Sequence, residues 1–177
     1  MQERVVLDSP DIDRALKRIA HEILEANEGP TDLVLLGIPT RGKHLAERIS
    51  SLLTQIDPGY EPKCGVLDIT MYRDDLAANP TRAVTETQIP KQGLDDKVVV
   101  LVDDVLFSGR TIRAALDALG EYGRPRAVKL AVLVDRGHRE LPIRADFVGK
   151  NLPTAREERI NVNLSETDSQ NAVVIES

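Results

Sequence analysis

The chain has no tryptophan, three tyrosines, two phenylalanines and a single cysteine in 177 residues. Without more aromatics it cannot build the stacking platform on which sheet-type RNA modules hold unpaired bases. Cys64 can form no internal disulfide and has no second cysteine to share a metal, so a reducing cytoplasm is the expected compartment. No apolar run approaches the ~18 residues of a membrane-spanning helix. The opening stretch, Met1 to Asp8, turns acidic early and does not read as a secretory leader. A basic excess is missing too: 23 Lys and Arg stand against 29 Asp and Glu, a net charge of −6. Any contact with nucleic acid must then come from a local basic patch and not from the whole field. Glycine and proline, at 11 and 10, are near average, and no repeat or Gly/Ser linker is visible.

What is present is an ordinary globular composition, 41% hydrophobic and 29% charged. The length suits one domain over 1–177 with a sizeable core. A first helix is marked by Ser9 as N-cap, Pro10 in the first turn and Asp11 beside the positive end of the dipole. Ile12, Ala15, Leu16, Ile19, Ala20, Ile23 and Leu24 share one face of it, and Gly29-Pro30 stops it. Leu33 to Leu36 reads as a strand, and Leu45, Ala46, Ile49, Leu52, Leu53 and Ile56 make a second helical stripe. A mixed strand is expected from Cys64 to Met71. The polar segment 72–96, with Pro80, Pro90 and Gly93, reads as a lid or binding loop, partly a hairpin.

Val98 to Val102 is the strongest strand, ending in Asp103-Asp104. Ile112, Ala115, Leu116 and Leu119 form the inward stripe of a third helix. Val128 to Val134 is another solid apolar strand, and shorter ones are expected near Phe147-Val148, Ile160 to Leu164 and Val173 to Ile175. Solid apolar strands alternating with helices predict an α/β, mainly parallel, doubly wound sheet covered on both faces. Ligands bind such sheets at the carboxyl ends of the strands. The loops 37–42, 103–111 and 135–140 lie there.

Two of these loops carry chemistry. Gly37 to Lys43 spells Gly-x-x-x-x-Gly-Lys between strand and helix, close to a P-loop. However, His44 stands where a P-loop has the hydroxyl that meets Mg²⁺, and Pro39 removes one of the N–H groups such a loop presents. A ligand-free turn and an anion site at Thr40-Arg41-Gly42 are the other readings. The run Asp103-Asp104-Val105-Leu106-Phe107-Ser108-Gly109-Arg110-Thr111 is more specific. Hydroxyls, a glycine and a helix N-terminus make a phosphate cradle. Carboxylates one loop away can accept hydrogen bonds from sugar hydroxyls.

That run resembles the phosphoribosyl-pyrophosphate (PRPP) motif of type I phosphoribosyltransferases. Further segments extend the likeness over nearly the whole chain: Arg18 to Glu22, Gly37 to Gly42, Asp68 to Leu76, Val132 to Pro142 and Gly149 to Asn151. Together they are similar to the family of bifunctional pyrimidine operon regulators and uracil phosphoribosyltransferases (PyrR). The resemblance implies a type I phosphoribosyltransferase fold with a small hood. It implies that Ser108 to Thr111 hold the 5′-phosphate of PRPP or UMP, and that Asp103 and Asp104 hold the ribose 2′- and 3′-hydroxyls. Thr40 and Arg41 would form the pyrophosphate loop, Arg73 would reach the pyrophosphate as the 72–96 segment closes, and Mg²⁺ would come with PRPP and not from a protein cage. Arg136 and Val162 are candidates for the base-binding hood. Phe107 stands where purine enzymes of the superfamily carry an Asp against the base, which favours a pyrimidine, uracil.

The polar face of the first helix holds Arg14, Lys17, Arg18 and His21, and a second basic set holds Arg136, His138, Arg139 and Arg144. The pattern alone fits an ordinary solvated face. The family resemblance makes Arg14, Lys17, Arg18, His21, Arg139 and Arg144 candidates for binding pyrimidine-operon leader mRNA, with a homodimer doubling the patch. On the helix these side chains are expected to be replaceable without loss of fold. Three functions stay open on the sequence: a bifunctional regulator and enzyme, a plain salvage phosphoribosyltransferase, and a P-loop hydrolase.

Overall fold

The computed structural model describes residues 1–75, 77 and 83–177. In chain order the elements are β1 (Glu3–Leu7), α1 (Ser9–Ala26), β2 (Leu33–Gly37), α2 (Arg41–Ile56), β3 (Cys64–Val66), a 3₁₀ turn (Thr70–Tyr72), β4 (Val98–Leu106), α3 (Arg110–Leu119), β5 (Ala127–Asp135), β6 (Phe147–Asn151), β7 (Arg159–Asn163) and β8 (Ala172–Glu176). Five strands pair in the order β3-β2-β4-β5-β6, and every pairing among them is parallel. A separate antiparallel sheet, β1-β8-β7, brings the two ends of the chain together.

The solid apolar strands have a direct structural cause. Along β4, Val98, Val100 and Val102 pack with the stripes of α1 and α2, while Val99 and Leu101 pack with Ile112, Ala115 and Leu119 of α3. Alternate side chains therefore enter two cores, and a strand buried on both faces has no place for polar residues. The small sheet joins the first of these cores through Leu7, Val162, Leu164 and Val173. The parallel sheet has helices on both faces, as the pattern of strands and helices predicts.

Several local expectations change. The cap of α1 is Asp8, not Ser9: Asp11 N–H donates to Asp8 Oδ1 at 2.9 Å, and Asp8 N–H donates to Asp11 Oδ2 at 3.0 Å. This reciprocal pair satisfies two helix-end donors, and Ser9 moves into the first turn. Between Cys64 and Met71 only Cys64–Val66 is strand. Thr70 then enters a 3₁₀ turn, with its hydroxyl donating to Asp68 Oδ1 at 2.8 Å. Leu116 is 45% exposed and leaves the inward stripe of α3, which Ala114 and Ala118 complete. β1 was hidden in the sequence because it is an edge strand, exposed at Glu3 to Val5.

The strand β4 does not stop before the acidic pair. It runs on through Leu106, with Asp103 beside Val132 and Leu106 beside Asp135 of β5. Of the segment 72–96, residues 76 and 78–82, Pro80 included, lie outside the described residues. The described part makes one antiparallel bridge, Val66 to Gln88, in place of a hairpin.

Candidate active site

The carboxyl ends of β2 and β4 open onto a cavity of about 310 Å³. Its walls include Thr40 and Arg41 from the β2–α2 turn, Asp68 and Thr70 after β3, Arg73, Asp103 and Asp104 on β4, Val105, and Thr111 at the start of α3. Asp103, Asp104, Thr40, Arg41, Arg73 and Thr111 are thus brought together by the parallel register of the sheet.

Close backbone contact builds the β2–α2 turn. A Cβ on Gly42 would collide with the Val102 carbonyl, and one on Gly37 would lie 2.5 Å from the Gly42 carbonyl oxygen. Only glycine lets this turn sit against β4. The Pro39–Thr40 peptide is cis. α2 begins at Arg41, so Lys43 lies in its first turn.

Asp103 is 7% exposed, and its Oδ1 accepts the Asp104 N–H at 2.9 Å. Burial, reinforced by the neighbouring Asp104, pushes the Asp103 carboxyl well above the usual carboxylate range. The turn into α3 requires Gly109, whose φ of 95° is strained for any side chain. Ser108 Oγ accepts the Arg110 N–H at 3.3 Å. The Arg110 side chain reaches Asp74 Oδ2 at 2.7 Å and Glu140 Oε2 at 3.0 Å. Arg73 donates to Thr111 Oγ1 at 3.1 Å and forks onto Asp75 at 2.8 and 3.2 Å. Residues from the 72–96 segment therefore already touch the start of α3.

Other expected residues lie elsewhere. Leu106 is buried in the core beside α3. The Arg136 guanidinium lies 4.2 Å from the centre of the Phe107 ring, and His138 meets the same ring edge-on. Arg136 is buried and donates to Thr154 Oγ1 and to the Ala155 and Arg156 carbonyls. Val162 is in the other candidate region, buried beside a second cavity of about 350 Å³ between the small sheet and Arg41 and Asp104. Arg136 lines a different cavity, with His138, Arg139 and Thr154.

On α1, Arg14, Lys17 and His21 are exposed. Arg18 departs from the expectation of free replacement. It donates to the Val148 and Gly149 carbonyls at 2.9 and 2.6 Å, and so ties α1 to the edge strand β6. Arg139 is also engaged, bonding Ile143 O, Phe107 O and Asp135 Oδ2 at 2.7–2.8 Å. Arg144 is exposed.

Sequence reasoning missed Asp168, whose carboxylate holds Arg41 at 3.0–3.3 Å. It also missed Asp68 and Thr70 as wall residues, although both stand in a quoted motif. Among the described residues, no cluster of three or more His, Cys, Asp or Glu could hold a metal ion, and no helix is long and apolar enough to cross a membrane.

Comparison with known proteins fits this geometry. The phosphoribosyl transferase domain family matches residues 4–166. A bifunctional protein PyrR of Streptomyces coelicolor is 63% identical over 174 residues, covering 98% of this chain and 90% of its own. One from Leifsonia xyli is 64% identical over 180 residues, covering 99% and 98%. Among solved structures, a hypoxanthine-guanine phosphoribosyltransferase of Bacillus anthracis superposes with a TM-score of 0.74 at 17% identity, covering 98% of both chains. The last likeness speaks to fold alone. The chain belongs to the PyrR family of type I phosphoribosyltransferases.

Proposed function

We propose that this chain transfers the ribosyl phosphate of PRPP to uracil, giving UMP and pyrophosphate, and regulates pyrimidine biosynthesis genes by binding their leader mRNA in the cytoplasm. The observation that carries the enzymatic reading is the single cavity shared by the Asp103–Asp104 pair, Arg41, Arg73 and the start of α3. It offers hydrogen-bond acceptors for a diol and cations for a diphosphate within one reach. The 5′-phosphate would lie against Ser108 to Thr111, at the positive end of α3. The P-loop reading of Gly37–Lys43 is set aside, because the glycines there serve the approach of the turn to β4.

In the reaction the ring nitrogen of uracil bonds to C1′ as the bond from C1′ to the pyrophosphate oxygen breaks, and the nitrogen's proton leaves. Charge grows on the departing oxygen, where Arg41 and Arg73 stabilise it. Asp103 and Asp104 hold the ribose hydroxyls and fix C1′ between base and leaving group. Closure of the 72–96 segment excludes water that would hydrolyse PRPP. Carboxylate and hydroxyl oxygens suit a hard divalent ion. Mg²⁺ carried by PRPP would meet Asp103 or Asp104 and would neutralise diphosphate charge.

A substrate panel tests the base: uracil releases pyrophosphate from PRPP, and guanine and hypoxanthine do not. Guanine turnover would overturn the pyrimidine assignment. For RNA, Arg14, Lys17 and His21 on α1, with Arg144 before β6, supply the exposed cations; Arg18 joins the two elements. A homodimer would double this patch.

A further inference from the structure

The turn 164–171, between β7 and β8, is fastened to α2 at two points. Near the start of the helix Arg41 forks onto Asp168: Nη2 lies 3.0 Å from Oδ1 and 3.2 Å from Oδ2, and Nε lies 3.3 Å from Oδ2. Two turns later, Arg48 bonds Glu166 Oε1 through Nε at 2.7 Å and Asn171 Oδ1 through Nη2 at 2.7 Å. Residues seven apart lie on one side of a helix, so both arginines face the same turn. They serve different ends. Arg48 does not line the cavity; Arg41 does. Arg41 also lines the second cavity, beneath the small sheet.

Asp168 is itself held firmly. Its Oδ2 accepts the Leu164 N–H at 2.8 Å and the Thr167 hydroxyl at 3.0 Å. Leu164 is fully buried in the core shared with α1 and α2. The carboxylate is therefore fixed to the core through one residue, and the Leu164 N–H and the Arg41 charge hold it below its usual range. Only the Nη1 group of Arg41 is left without a bond among the described residues. A guanidinium with one edge clamped and one nitrogen left to donate is preorganised for an incoming oxyanion.

The geometry points to Asp168 as a positioning residue for the pyrophosphate end of PRPP, acting through Arg41 and tying the small sheet to the β2–α2 turn. The inference rests on the proposed role of Arg41. UMP has no diphosphate, so the effect should separate PRPP from UMP, which a loosened site would not do.

Asp168→Asn tests this with little change of shape. The amide oxygen can still accept the Leu164 N–H, but the amide nitrogen then faces Arg41 Nη2, donor against donor. We expect kcat/KM for PRPP to fall about tenfold, the ratio that a charge-assisted hydrogen bond corresponds to. UMP affinity by calorimetry should stay within about twofold, and Asp168→Glu should recover part of the lost kcat/KM. In an Arg41→Ala background, Asp168→Asn should have no further effect, as a double-mutant cycle requires of a residue acting through another. Arg48→Gln, which loosens the same turn away from the cavity, should leave kcat/KM near wild type. Equal weakening of PRPP and UMP, a loss that persists without Arg41, or an unchanged Asp168→Asn enzyme would overturn the inference while Arg41 keeps its role. Unchanged kcat/KM in Arg41→Ala alone would overturn the role of Arg41, and this inference with it.

Discussion

At the scale of single residues, the acidic pair sets a conflict between stability and function. Asp103 is buried beside Asp104, and its carboxyl is pushed well above the usual range. In the unfolded chain it would titrate near about 3.9. As pH rises from there to the folded value, the unfolded state has already lost its proton and the folded state has not. Stability therefore falls through that window and stays lower above it. Asp103→Asn removes the titration and keeps an oxygen for the Asp104 N–H. At pH 7 it should melt at least about 2 °C higher than wild type, what roughly 1 kcal/mol corresponds to in a chain of this size. The gap should close toward pH 4, and uracil-dependent pyrophosphate release should drop. A lower melting temperature at pH 7 would contradict the burial argument. The phosphate loop gives a second residue-level outcome. Thr111→Ala and Arg110→Ala should weaken PRPP and UMP together, because both ligands carry the 5′-phosphate. Calorimetry with each ligand decides it, and a loss confined to PRPP would move those residues to the pyrophosphate.

At the scale of elements, α1 shows what a cap contributes. Asp8 and Asp11 satisfy each other's backbone N–H groups. Asp8→Ala should destabilise by about 1 kcal/mol, and Ser9→Ala by much less. Urea unfolding of the two variants distinguishes them, and equal effects would return the cap to Ser9. The same helix explains how far the sequence could be read. Both residues are good caps, and only backbone geometry tells which is outside the first turn. The strands β2, β4 and β5 were legible because burial on two faces leaves a solid apolar run. β1 was not, because an exposed edge strand has no such run. The run Asp103 to Thr111 stands out in the sequence because its polar groups are continuous along the chain, and the structure places Asp103, Asp104, Val105 and Thr111 of it on one cavity. Asp168 was not: it lies in a polar turn, Ser165-Glu166-Thr167-Asp168-Ser169-Gln170-Asn171, that composition describes only as a turn. Its partner Arg41 lies 127 positions away. Pairings of that range follow from sheet order, which no local pattern carries.

At the scale of the whole molecule, the net charge of −6 works against RNA, so the proposed RNA binding requires a few cations aimed at phosphates. Lys17 and His21 are four apart on α1, so they are neighbours on its exposed face. Neither makes a hydrogen bond or ion pair among the described residues. Arg18, between them, is different: it bonds two β6 carbonyls, so its loss loosens α1 from the sheet edge as well as removing charge. Lys17→Gln and His21→Ala should therefore leave the melting temperature and uracil phosphoribosyltransferase activity near wild type. Arg18→Gln should lower the melting temperature. Each lost phosphate contact from a cation reduces the salt slope of binding by about 0.7–0.9. Lys17→Gln should show that reduction with leader RNA in the presence of UMP. A hairpin of equal length and altered sequence is the control, because an acidic protein should bind it poorly at physiological salt. If both RNAs bind alike, or if Lys17→Gln keeps the wild-type slope, this face of α1 is an ordinary solvated surface and a plain salvage phosphoribosyltransferase is the better reading.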